Sequence, residues 1–201
     1  INNGRIGIGL GHTPPITTPN STHIVSGYNV VGNPYPSNID FDVLYRENSD
    51  NIEGVAYFWT NVNATPTQQE GTKYNGNNYA IYNLTGGNPA TRPAGVGSAT
   101  PDGIIKVGQG FMVQAKGPNK TLLFSNQVRV KDQGHFFPKA RMKSNAKDRY
   151  WLSLVGPAQM ENTFLAGYIE GATDDFELAY DARISVNGDD AIYSILGDDQ
   201  L

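Results

Sequence analysis

The chain has 201 residues, a formal charge of −4 and no cysteine. Thiol catalysis, thiolate zinc sites and iron–sulfur clusters all need cysteine and are excluded. An acidic chain also has no general attraction for nucleic acid or anionic membrane.

Hydrophobic residues at 38%, charged residues at 17%, 23 Gly, 12 Pro and 11 Tyr give the profile of short strands joined by tight turns. No run approaches the roughly 20 apolar residues of a membrane-spanning helix. The chain begins at Ile1 with no charged or apolar leader pattern, so a signal peptide, if the parent has one, is expected upstream of this piece.

From the N-terminus, Gly7, Gly9 and Gly11 alternate with Ile6, Ile8 and Leu10. That pattern suits an edge strand of little bulk, broken by Pro14-Pro15. It does not suit a nucleotide loop, because prolines stand where the helix should begin. Strands are expected at Tyr28–Val31, Val55–Thr60, Tyr79–Tyr82, Gly103–Val107, Gly110–Ala115, Thr121–Phe124 and Gln127–Val130. These runs are rich in Val, Ile, Tyr and Phe and are bounded mostly by Gly, Asn or Pro.

One helix is expected near Asn38–Asn48. Ser37 and Asp40 have the spacing of a capping box, and Ile39, Val43 and Leu44 repeat at helical spacing. The basic, weakly patterned stretch at 139–148 reads as a linker. Beyond it, Tyr150–Val155 and Phe164–Ile169 read as a hairpin, and Ala191–Leu196 as a last strand with nothing after it to pair. The expected division is therefore a β-sandwich module over 1–138, the linker, and an incomplete second β unit over 149–201.

Candidate site residues are few. His12, His23 and His135 are scattered, and no nucleophile elbow or metal-binding His pair occurs. The chain is read as having no catalytic residues and no organic cofactor. Acidic turns at Asp174, Asp175 and Asp181 and at Asp189 and Asp190 offer hard oxygen ligands of the kind Ca²⁺ uses. They fit none of the EF-hand order, and solvated turns that keep sheet edges soluble are the favoured explanation.

Tyr57, Trp59, Tyr79 and Tyr82 are candidate sugar-stacking rings. Alternation sets Tyr57 and Trp59 on one face of their strand and Phe58 on the other, which favours burial over a platform. Sequons begin at Asn20, Asn63, Asn83 and Asn119.

The ordered series GYNVVGNPYPSNIDFDVLY (Gly27–Tyr45), GVAYFWT (Gly54–Thr60), GQGFMVQAK (Gly108–Lys116), FSNQVRV (Phe124–Val130), RYWLSL (Arg149–Leu154) and LAGYIEGATDDFELAYDA (Leu165–Ala182) resembles a module of large secreted proteins of Bacteroidota. There it stands shortly before a type IX secretion sorting domain.

The resemblance implies an extracellular or cell-surface cargo protein, with the type IX translocon or other surface proteins as partners. It carries no catalytic residues over. The fold expected is all-β, a jelly-roll or Ig-like sandwich with one short helix, followed by the start of a second sandwich. The function expected is that of a non-catalytic structural or adhesive module. The alternative is a carbohydrate-binding module, or another fragment, of a secreted glycosidase or other hydrolase, with glycans as partners.

Overall fold

The computed structural model describes residues 4–12, 27–60, 79–95, 100–131, 148–157, 159–182, 191–196 and 199–200. These residues build several antiparallel sheets and a single α-helix, so the fold is all-β with one short helix, as composition predicts. Most of the expected strands form within a residue or two of their predicted limits. Two form only in part: Arg129–Val130 follows a short 3-10 helix at Asn126–Val128, and at the C-terminus only Ile195–Leu196 is a strand, paired with Asp199–Gln200.

The chain divides into two compact units that cut across the division expected from sequence. One comprises Ile1–Ala56 with Ile104–Gly134, and the other Tyr57–Gly103 with His135–Leu201. The expected linker lies outside the described residues except for Asp148, which opens a strand.

In the first unit, Ile6–Gly9 pairs with Thr121–Phe124, and Tyr28–Gly32 pairs with Gly110–Gln114. Asn38–Asp40 lies between Ile104–Ile105 and Arg129–Val130. The glycine-rich start is thus a strand, and a side chain at Gly7 would press on Thr121 and Leu123. The core gathers Ile39, Phe41, Leu44, Ile52, Ile105, Val113, Leu122 and Phe124, each 0% exposed. Burying one such side chain contributes about 1.5–3 kcal/mol.

The helix is shorter than expected, at Phe41–Glu47, and its cap is not Ser37. Asp40 caps it, accepting from the amides of Asp42 and Val43 at 2.9 and 3.4 Å. The three residues before Phe41 are held extended by strand pairing on both sides, so the helix starts where that pairing ends. Ser37 instead accepts through its hydroxyl from Arg129 Nε and through its carbonyl from Asn33.

In the second unit, Tyr79–Tyr82 pairs with Gly87–Asn88. The hairpin Asp148–Val155 and Met160–Tyr168 pairs over its whole first strand, from Asp148 opposite Tyr168 to Val155 opposite Glu161. Its second strand then takes Arg92–Pro93 as a further partner.

Candidate functional site

Asn33-Pro34-Tyr35-Pro36 is the densest part of the sequence pattern, and its side chains work inward. The Asn33 side chain accepts from the Tyr35 amide at 3.0 Å and donates to the carbonyls of Ser37, Ile105 and Lys106. Tyr35 is 2% exposed and donates to the Gly4 carbonyl at 2.6 Å. Its ring meets the edge of Phe124 and lies 5.3 Å beneath the Arg129 guanidinium. Burial raises the Tyr35 phenol above its ordinary value; Arg129 opposes the shift and Glu47 adds to it.

Asn48, 1% exposed, closes the helix. It donates to the carbonyls of Leu44 and Leu123 and accepts from the Leu123 amide, all at 2.8 Å. Gly108, at φ +70°, turns the chain between Ile104–Ile105 and Gly110–Gln114.

The aromatic candidates do not form one surface. Tyr82 is buried, and its ring fills the space a side chain at Gly103 would need. Tyr57 is half-buried, while Phe58 is 3% exposed. Trp59 is 42% exposed and meets Tyr79 at 5.1 Å, with the ring planes 75° apart. A flat stacking platform needs rings in a common plane, so this pair offers a sugar one ring face and one edge.

The acidic turn uses its own carboxylates. Glu177 accepts from the Thr173 amide, and Asp181 accepts from the Glu177 amide at 2.8 Å. Burial raises the Asp181 carboxyl, with the Glu177 hydrogen bond opposing and the Glu177 charge adding. Asp174 and Asp175 are exposed in the same turn, and Asp189 and Asp190 lie outside the described residues. Among the described residues, no three acidic or imidazole side chains come together as a cation site would require.

A larger surface feature is one that sequence reading did not single out. Antiparallel pairing sets Tyr150, Leu152 and Leu154 on one face of the C-terminal hairpin, beside Phe164 and Tyr168. Tyr150 is 49% exposed, Leu152 47%, Leu154 38% and Tyr168 81%.

The opposite face is anchored. Trp151 Nε1 donates to the Gly87 carbonyl, and Arg149 donates to the Thr85 carbonyl while lying over the Trp151 ring. Glu161 meets Arg92 at 2.7 Å. The sequon at Asn83 is part of the same framework. The Asn83 side chain accepts from Thr85 and Gly86 and, with the Thr85 hydroxyl, donates to the Tyr180 carbonyl.

A family model matches residues 1–201 over the full length, under the description Domain of unknown function (DUF8693). The chain belongs to this family. No curated protein and no solved structure matches it. For a DUF8693 chain the description names no activity, so a functional reading rests on the surfaces described above. Among the described residues, no helix is long and apolar enough to cross a membrane.

Proposed function

We propose that this chain is a non-catalytic structural or adhesive module of a secreted, cell-surface protein exported by the type IX system. The observation that carries the reading is the apolar face of the C-terminal hairpin. Tyr150, Leu152, Leu154 and Tyr168 stand in solvent on a strand pair whose other face is tied down by Arg149, Trp151 and Glu161. A rigid exposed apolar patch suits contact with another macromolecule. The ordered motifs from Gly27 to Ala182 support the export route through the resemblance they carry. Their side chains at Asn33, Tyr35 and Asn48 serve folding, which fits a module that presents a surface rather than a reaction centre.

The experiment is to tag the parent protein in a bacterium that makes it and to add protease to intact cells. Cleavage that disappears when the type IX translocon is disabled is the expected result. A tag that stays protected in both strains, or is cleaved in both, contradicts the export reading. The rival reading, a carbohydrate-binding module, draws on Trp59, half-exposed beside Tyr79. Glycan-array binding that Trp59→Ala abolishes would favour it over the adhesive reading.

A further inference from the structure

Asp148–Val155 is the outer strand of its sheet, in which Met160–Tyr168 is central and Arg92–Pro93 forms the other margin. Among the described residues nothing pairs with its outer side. It is eight residues long, DRYWLSLV, with neither proline nor lysine. Its side chains are exposed on both faces: Tyr150, Leu152 and Leu154 on one, Trp151 and Val155 on the other.

Edge strands are ordinarily shortened, charged, broken by proline or covered. The opposite margin obeys that rule, being two residues long and containing Pro93. A body docked on one face would leave the row of backbone groups open, together with the exposed parts of Trp151 and Val155. A strand laid alongside covers the backbone and the rims of both faces together.

We propose that this strand pairs antiparallel with the same strand of a second copy, about a two-fold axis at Leu152. A two-fold axis perpendicular to the sheet keeps each face on its own side, so residues that meet share parity. Centring on Leu152 sets Leu152 opposite Leu152 and Tyr150 opposite Leu154 twice, giving aliphatic and aromatic–aliphatic cross-strand pairs. On the other face Trp151 meets Ser153 and Arg149 meets Val155. No like charges face each other, and Asp148 falls opposite Gly156, past the end of the strand. Centring on Trp151 would instead set the Asp148 carboxylate against Leu154. Because the other margin is short and carries a proline, pairing closes at two copies instead of continuing into a filament.

The dimer deepens the contact-module reading by naming a partner, yet the two fail separately. A monomer that still coats cells removes the dimer alone, and a dimer confined inside the cell removes the export reading alone.

The test is sedimentation equilibrium of the whole chain over a concentration series. The wild type is expected to form dimers, with the outward amides of Asp148–Val155 slowing in hydrogen exchange as dimer forms. Leu152→Lys sets two ammonium groups opposite each other and is expected to weaken association about tenfold. Val30→Ser, 80% exposed on a strand outside this sheet, is expected to leave association unchanged. Mixing Leu152→Lys with Leu152→Glu is expected to restore dimers, which also shows that both variants fold. A wild type that stays monomeric throughout, or a dimer indifferent to Leu152→Lys and to the mixture, overturns the proposal.

Discussion

Lys106 is 3% exposed, and its Nζ has no hydrogen-bond partner among the described residues. A buried ammonium without an acceptor is a net cost, which an apolar side chain of similar length removes. Lys106→Met is therefore expected to leave stability unchanged or raise it by up to about 2 kcal/mol, read from urea unfolding. A loss above about 1 kcal/mol would mean that the ammonium has an acceptor.

Tyr35 gives a pH signature. Burial holds its phenol above the ordinary 10.0, so the unfolded chain ionises first as pH rises. The stabilising contribution is complete below pH 10.0 and is lost as pH climbs through the raised folded value. Urea unfolding across alkaline pH should show this decline in the wild type. Tyr35→Phe should flatten that part of it while losing about 1 kcal/mol at neutral pH with the bond to Gly4. A slope identical in both proteins would contradict the assignment. Asn33, Asn48 and Asn83 were hidden in sequence for a related reason. In a chain rich in Asn, a buried amide that closes turns on distant carbonyls looks the same as a solvated loop residue.

At the scale of elements, strand composition and turn residues placed most of the strands, because β-branched and aromatic runs between Gly, Asn and Pro have few other solutions. The helix was legible by its period but not by its cap. Ser37 and Asp40 match a capping box, yet strand pairing at Asn38–Asp40 moves the start to Phe41. Asp40→Ala should accordingly cost about 1 kcal/mol through the lost cap. Ser37→Ala should cost less in helix content, since Ser37 bonds Arg129 instead. Circular dichroism melting of the two variants separates them, and the reverse order would restore the capping box. The Arg92–Pro93 partner of the hairpin was not legible, because two residues with a proline carry no strand pattern. Which side chains form the exposed face was not legible, since alternation reveals parity without saying which face is covered.

For the whole molecule, the interleaved units change what can be cut. Residues 149–201 read as a separate start of a new unit, whereas their hairpin bonds Thr85, Gly87, Asn88 and Arg92. A fragment ending at residue 138 is expected to lose protection at Tyr79–Tyr82 and Gly87–Asn88, read as rapid proteolysis between residues 79 and 103. Protection equal to that of the full chain would support the division drawn from sequence.

In the proposed function the chain works by contact through the hairpin face. That contact is tested most directly by binding of the labelled, purified chain to intact cells of the bacterium that makes it, compared with a Tyr150→Ser, Leu154→Ser variant. Both residues are well exposed, so the variant should melt within a few degrees of the wild type. Saturable wild-type binding that falls at least about tenfold in the variant is the expected result, as when exposed apolar anchors are lost from an interface. Equal binding by the two proteins, or none by the wild type, would contradict it.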